Sequence, residues 1–147
     1  LYAGLHFWFP KMFGRMYNET VSKIAFWMLF IGFNGTFLPQ FALGMEGMPR
    51  RYFDYPDIEN FASLHMVSSV FAFLNAAGYA LVLFNLAHGA IWGKKAEANP
   101  WGALSLEWVK AGSPPVHDNF ETVPQVEDWP YNYGVEYEKA PHVSHGV

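Results

Sequence analysis

Two adjacent arginines, Arg50 and Arg51, lie in the stretch "GMEGMPRRYFDYPD" between two strongly apolar runs of the chain. A guanidinium group is planar, permanently charged and carries five N–H donors, so an arginine pair suits carboxylate or phosphate groups. The same pair could instead be solvated, contact lipid phosphate, or pair with the nearby Asp54 and Asp57. The residue types alone leave both interpretations open.

The backbone around the arginine pair favours a rigid loop. Pro49 precedes the pair and Pro56 follows it, and proline fixes its own φ angle. Gly44 and Gly47 permit a tight turn before the pair, because glycine tolerates a positive φ angle. A rigid frame is more than a mobile lipid contact requires, and this favours an anion-binding role for the arginines.

The six histidines do not show the spacing of a metal or haem site. His65 and His88 lie far apart in the chain, and no histidine pair has the i,i+4 spacing of a helical metal site. His142 and His145 are three residues apart, but in a polar, proline-rich end of the chain that is expected to be disordered. The chain has no cysteine. The sequence therefore predicts neither a catalytic residue nor a metal ligand of its own.

Three amide side chains, Asn34, Asn75 and Gln40, lie within long apolar runs. Polar groups at membrane depth often have a function, but asparagine also forms ordinary hydrogen bonds between membrane helices. We favour the structural role for Asn34 and Asn75. Gln40 is the stronger functional candidate, since it is the nearest of the three to the arginine pair.

The elements that must position these residues are two uncharged runs. One has 22 residues between Lys23 and Glu46, and the other has no Asp, Glu, Lys or Arg over 34 residues between Glu59 and Lys94. About 20 apolar residues suffice for a helix to cross a membrane. A buried helix of a large soluble protein is the alternative, but two such runs joined by a short charged loop favour the membrane.

The sequence thus predicts an all-α membrane protein with two full transmembrane helices, a partial one before them and an extended C-terminal tail. The apolar start without Met suggests the last turns of a longer helix, and Asn18 is the expected N-cap of the first full span. The predicted boundaries are a helix end at 1–10, a cytoplasmic loop at 11–18, a transmembrane helix at 19–45, an outer loop at 46–58, a second transmembrane helix at 59–92 and the tail at 93–147.

Charge predicts the orientation and the surroundings of the chain. Five basic residues flank the spans on the side of the tail and two lie in the opposite loop, so the positive-inside rule places the tail in the cytoplasm or matrix. The five are Lys11, Arg15, Lys23, Lys94 and Lys95. Only 15% of residues are charged and the net charge is −4, which offers no basic surface for nucleic acid.

Two further patterns concern packing. Small residues recur four apart in the second run, where they would let another helix approach closely; they are Ser68, Ala72, Ala76 and Ala80. After Lys94 the chain becomes rich in proline and acidic residues. Its aromatic residues predict an extended tail that docks along a partner or the parent protein and does not form a domain of its own.

Several motifs follow one another in a characteristic order. They are "WFPKMFGRMYNE", then "FWMLFIGFNGTFLPQFALGMEGMPRRYFDYPD", then "NPWGALSLEW" with "SPP" and "NF". Together they resemble the C-terminal part of subunit I of the haem-copper cytochrome c oxidases, in the correct order through about Phe120. The sequence departs from many members at Phe41, where they have a histidine, so any role of that histidine is absent here.

The resemblance implies a share in a bundle of twelve membrane helices that holds a low-spin haem, a high-spin haem and a copper ion. This chain would supply the end of the tenth helix, the eleventh and twelfth helices and the tail. The metal-binding histidines would lie in earlier helices, so the chain alone is expected to be inactive. Implied partners are the remainder of subunit I, other oxidase subunits, cytochrome c and the lipid bilayer of a bacterial or mitochondrial inner membrane.

The resemblance also assigns roles by position. Arg50 and Arg51 would bind the haem propionates, whose pKa values would rise at low dielectric without a fixed opposite charge. Phe37 and Gln40 would line the side of the low-spin haem, and the copper would be bound elsewhere in the subunit. Two alternatives stay open: a quinol oxidase subunit I, which shares this region, and a non-catalytic accessory subunit with two spans that contacts no haem.

Overall fold

The chain folds into α-helices over the part described by a computed structural model, residues 1–54, 61–120 and 123. The helices are α1 (Tyr2–Phe13), α2 (Glu19–Met45), α3 (Phe61–Trp92) and the short α4 (Leu106–Val109). The described residues contain no β-strand, only an isolated bridge. This confirms the predicted all-α class. Pro56, Asp57, the predicted start of the second span at 59, His142 and His145 lie outside the described residues.

The chain divides into two compact units. The hairpin unit comprises Asn18–Ala87, and the terminal unit comprises Leu1–Tyr17 together with His88–Val147. The first contains α2 and most of α3. The second contains α1, the end of α3, and α4 with the segments around it.

Helix α1 continues beyond the predicted boundary at residue 10 and ends at Phe13. Pro10 lies inside the helix and has no N–H group to donate. Its carbonyl accepts a hydrogen bond from the N–H of Gly14 at 2.8 Å, which closes the last turn of the helix. Gly14 has φ 63, the left-handed conformation in which glycine commonly ends helices. The connection to α2 therefore begins at Gly14 and not at residue 11.

Helix α2 begins at the predicted cap. The side-chain oxygen of Asn18 accepts a hydrogen bond from the N–H of Val21 at 3.1 Å, which satisfies one of the free donors of the first turn. Glu19 lies in that turn, near the positive end of the helix dipole, and pairs with Lys23 at 2.8 Å. The helix then continues through Pro39 to Met45.

Helices α2 and α3 are long and apolar enough to cross a membrane, by length and composition. Their large side chains lie mostly on the outside of the hairpin unit. Those of α2 with 45% exposure or more are Ile24, Phe26, Trp27, Phe30, Ile31, Phe33, Phe37, Leu38, Phe41 and Met45. Lipid tails accommodate such side chains as readily as a protein core does, so packing between membrane helices is left to small residues.

The contact between α2 and α3 is built on small residues. A Cβ atom on Gly32 would lie 2.7 Å from the backbone nitrogen of Asn75 and 2.8 Å from its Cα atom. Gly78 packs in the same way against Leu29, whose Cγ would lie 3.0 Å from an added Cβ. Because backbone atoms cannot move aside, only glycine at position 32 permits this approach.

The predicted row of small residues on α3 matches this contact at one position only. Ser68 is buried, whereas Ala72, Ala76 and Ala80 are exposed. The buried positions of α3 instead recur seven apart, as at Phe61 and Ser68 and at Gly78 and Asn85, which is typical of paired helices. Residues four positions apart on an α-helix differ in direction by about 40°, so a row with that spacing leaves a fixed face of the helix.

The described part of the tail packs on α1, where the sequence predicts only an extended segment along a partner or the parent protein. Trp108 of α4 is 1% exposed. Its ring centroid lies 5.2 Å from that of Phe7 and 6.4 Å from that of Trp101. The indole N–H of Trp101 donates to the Phe7 carbonyl at 2.9 Å. The tail thus contributes to the core of the terminal unit.

Candidate functional site

The arginine pair follows directly on the C-terminal end of α2. The N–H of Met48 donates to the Leu43 carbonyl at 2.9 Å, and that of Gly47 donates to the Gly44 carbonyl at 3.2 Å. Gly47 has φ 90. This is the hydrogen-bond pattern of a Schellman motif, in which glycine takes the left-handed position and proline often follows. Gly47 therefore makes the predicted turn, whereas Gly44 belongs to α2.

Both arginines are exposed and have no carboxylate partner in the described part of the chain. Neither guanidinium forms an ion pair with a carboxylate of residues 1–54, 61–120 or 123. Arg51 has φ 55, a left-handed conformation that costs energy for a residue with a Cβ atom. The structure thus offers two permanent positive charges on an ordered turn, and the predicted alternative partner Asp57 is outside the described residues.

Phe37 lies on the outside of α2, with 45% of its surface exposed. Its ring centroid is 4.6 Å from that of Phe33. Closer to the start of α2, Phe30 stacks on Phe26 and meets Trp27 edge to face. The exposed face of α2 therefore carries aromatic rings along most of its length, and Phe37 stands toward the end that leads to the arginines.

Gln40 is directed toward α3. Its amide Nε2 donates to the Ser68 hydroxyl at 2.9 Å, and that hydroxyl donates to the Thr36 carbonyl at 2.9 Å. Gln40 and Phe37 are three positions apart on α2, so they occupy neighbouring parts of its surface. Gln40 thus contributes to the contact between α2 and α3, whereas Phe37 is exposed.

The two asparagines singled out in the sequence behave differently. Asn34 donates to the Phe30 carbonyl of its own helix at 2.7 Å. Asn75 lies against Gly32, and its buried Oδ1 atom has no hydrogen-bond partner among the described residues. Asn75 thus contributes its backbone to the close helix contact, and Asn34 does not bridge the two helices in this unit.

A third asparagine, which is not among the residues singled out in the sequence, forms more hydrogen bonds than Asn34 or Asn75. Asn85 is 3% exposed, and its Nδ2 atom donates to the Asn18 carbonyl and to the Ser22 hydroxyl, both at 2.8 Å. Its Oδ1 atom accepts from the N–H of Asn18 at 3.2 Å. The available sequence signal was its place inside the second uncharged run, which it shares with Asn75. These bonds fix the first turn of α2 against α3.

Among the described residues, Lys11 is the group whose pKa is shifted furthest from its usual value. Its Nζ atom donates to the carbonyls of Ala111 and Gly112, both at 2.8 Å, and lies 4.5 Å from the ring centroid of Trp108. Burial lowers the pKa of Lys11 to about 8, and the Glu107 carboxylate opposes this effect. Lys11 lies outside the two candidate spans. Its two hydrogen bonds join α1 to the tail.

No group of three or more His, Cys, Asp or Glu side chains that could hold a metal ion occurs among residues 1–54, 61–120 and 123.

Comparison with known proteins places these features in a family. The family model described as "Cytochrome C and Quinol oxidase polypeptide I" matches residues 1–74. The chain is 46% identical over 128 residues to a "Probable cytochrome c oxidase subunit 1-alpha" of Streptomyces coelicolor, which covers 86% of this chain and 22% of the relative. It is also 46% identical over 132 residues to a "Cytochrome c oxidase subunit 1" of Cereibacter sphaeroides, covering 88% of this chain and 23% of the relative.

A third relative gives the same picture. "Cytochrome c oxidase subunit 1" of Corynebacterium diphtheriae is 45% identical over 127 residues, with 85% of this chain and 22% of the relative covered. The chain thus spans about a fifth of the length of the relatives it matches.

Proposed function

The chain belongs to the cytochrome c and quinol oxidase polypeptide I family, and from this premise we propose that it forms the C-terminal membrane part of subunit I of a cytochrome c oxidase. This family of multi-span helical membrane proteins accounts for the two long apolar helices α2 and α3. The observation that carries the proposal is the arginine pair, Arg50 and Arg51, which stands on an ordered turn without a carboxylate partner in the described residues.

The arginine pair fits the propionates of a haem. A guanidinium group binds a carboxylate through two parallel hydrogen bonds, and the bond is strengthened by charge. Arg50 and Arg51 would hold the propionates ionised, since a nearby positive charge lowers the pKa of a carboxyl group. Haem, when bound, supplies electron transfer and, with the copper ion of the full subunit, the reduction of dioxygen.

Phe37 and Gln40 would complete the haem side of α2. Phe37 is half exposed beside Phe33, and an aromatic ring at that place can pack against a flat apolar macrocycle. Gln40 would act indirectly, because its hydrogen bond to Ser68 holds this end of α2 against α3. The roles differ: Phe37 contacts the cofactor, and Gln40 positions the helix that presents Phe37 and the arginines.

The complete assembly would reduce dioxygen to water with electrons from cytochrome c and pump protons across a bacterial or mitochondrial inner membrane. The relatives named above are cytochrome c oxidases, which favours cytochrome c over quinol as the donor. Other oxidase subunits and the remainder of subunit I would be the partners. The five basic residues near the tail would place it on the cytoplasmic or matrix side.

The test replaces each arginine in the full oxidase assembly, as Arg50→Ala and Arg51→Ala, with Arg50→Lys and Arg51→Lys beside them. Loss of positive charge near the haem should lower its midpoint potential and turnover. About 1 kcal/mol of lost attraction corresponds to roughly 40 mV for a one-electron centre. The lysine variants should keep most of the potential, since charge is retained, but lose the two-bond geometry.

The matched control is Lys23→Ala, which removes an exposed charge in an ion pair whose side chains are both 72% exposed. It should leave the haem spectrum and potential unchanged. The propionate role is wrong if both alanine variants keep the wild-type spectrum, potential and turnover.

A further inference from the structure

Within the terminal unit, two basic residues lie opposite each other where the segment after α1 meets the segment after α3. Arg15 and Lys95 form an antiparallel bridge. The N–H of Met16 donates to the Lys94 carbonyl at 2.8 Å, and the N–H of Ala96 donates to the Gly14 carbonyl at 2.9 Å. These bonds flank the pair, so Arg15 and Lys95 are a non-hydrogen-bonded pair, the arrangement in which opposite side chains come closest.

Like charges directly opposite one another destabilise a bridge. No carboxylate offsets this pair in the described part of the chain, where neither Arg15 nor Lys95 forms an ion pair. Glu97 is only two residues away, yet it pairs with neither cation. The bridge therefore concentrates two positive charges on one face, and an anion between them would remove the repulsion.

The position of the bridge is firmly set. One guanidinium nitrogen of Arg15 donates to the Gly93 carbonyl at 2.7 Å, just past the end of α3. A side chain at Gly93 would collide with the carbonyl oxygens of Met16 and Gly89, so the segment passes close over the helix end. Arg15 is thereby held through one of its guanidinium nitrogens, at the backbone position opposite Lys95.

The surroundings of the bridge indicate which anion it would meet. It immediately follows the apolar α3, whose last residues Ile91 and Trp92 are 57% and 70% exposed. Exposed tryptophan at the end of a spanning helix favours the membrane–water interface. At that level the abundant anions are the phosphate groups of acidic lipids, which basic residues attract.

We propose that Arg15 and Lys95 form a binding site for the phosphate group of an anionic phospholipid at the membrane surface. The tetrahedral phosphate accepts hydrogen bonds from the guanidinium and the ammonium groups together, and the acyl chains lie beside Ile91 and Trp92. The bound lipid stabilises the junction of α1 and α3 by neutralising the repulsion across the bridge. This site is independent of the haem contacts proposed above.

The experiment compares Lys95→Gln with Lys94→Gln in the full oxidase assembly. Lys94 and Lys95 are both exposed, but successive residues of an extended segment point to opposite faces, so Lys94 is a control of equal charge. Phosphatidylglycerol binding to delipidated assembly is measured by native mass spectrometry. Lys95→Gln should weaken binding about fivefold, the effect of one basic residue near a lipid surface, and Lys94→Gln by less than half of that.

A second variant, Lys95→Glu, places a carboxylate opposite Arg15. It should abolish phosphatidylglycerol binding and raise the thermal stability of the lipid-free assembly, because the new ion pair takes the place of the lipid phosphate. The proposal is overturned if the two glutamine variants lose binding equally, which would show diffuse attraction, or if phosphatidylcholine binds as well as phosphatidylglycerol. It is also overturned if inorganic phosphate at millimolar concentration alone reproduces the stabilisation, which would identify a free-phosphate site.

Discussion

The two units of this chain differ in the residues that form their closest contacts. In the hairpin unit, Gly32 and Ala25 are buried between helices, and rings such as Phe30 and Phe33 are exposed. In the terminal unit, Trp108 and Phe9 are each 1% exposed and form the interior. The first pattern suits a helix pair in lipid, and the second suits a segment that removes its aromatic side chains from water.

The two patterns match two different sources of stability. In water, burial of aromatic surface is the main source of stability, and in the terminal unit Trp8, Trp101 and Trp108 all lie against Phe7. In a bilayer the burial of apolar surface contributes little to the association of helices. Close approach of the backbones and hydrogen bonds between helices stabilise the contact instead. The hairpin unit shows both, in the Gly32–Asn75 contact and the Asn85 hydrogen bonds.

The largest effect expected from this comparison is at Trp108. Trp108→Ala should destabilise the terminal unit by about 3–5 kcal/mol, the usual cost of removing a fully buried large aromatic side chain. The matched change Trp92→Ala removes a ring that is 70% exposed and should cost far less. Limited proteolysis of the tail in the purified assembly would measure both, and equal cleavage rates would show that the tail does not depend on an aromatic core.

A smaller effect is expected at the helix contact. Gly32→Ala inserts a methyl group against backbone atoms of Asn75 and should cost about 1–3 kcal/mol, as overpacking does in other tightly packed contacts. Gly44→Ala lies in the same helix, where an added Cβ meets nothing within 4 Å, and should be neutral or slightly stabilising. Unfolding in bilayers by steric trapping would compare them, and an equally harmless Gly32→Ala would refute packing by small residues.

The smallest effect concerns the charge of Lys11 in the terminal unit. Its pKa is lowered from 10.5 to about 8 in the folded chain, so the unfolded chain binds more protons between those values. Resistance of the tail to protease should therefore rise as the pH increases from about 8 to about 10. Glu107→Gln removes the opposing effect and should lower the pKa of Lys11 further.

The control for this pH dependence is a pair of methionine variants. Lys11→Met should abolish the rise in protease resistance between pH 8 and 10, and Lys94→Met, at an exposed position, should keep it. A rise that survives in Lys11→Met would assign the pH dependence to another group.

Much of the local structure was predictable from short stretches of sequence. The N-cap Asn18 and the all-helical class are confirmed, and Gly47 makes the predicted turn before Pro49. Each depends on residues close in the chain, where capping and turn chemistry act. Arg50, Arg51 and Phe37 stay predictions as haem contacts, with exposed side chains that fit the role.

The sequence by itself determined the all-helical class, the start of α2 at its cap Asn18 and which stretches are apolar enough to span a membrane, because these properties follow from neighbours within a few residues. Tertiary structure alone decided that Gly32 packs on Asn75, that Gln40 bonds to Ser68, and that the tail packs on α1. It also placed Lys95 opposite Arg15. These contacts join residues far apart in the chain, whose meeting depends on the register between helices and not on local spacing.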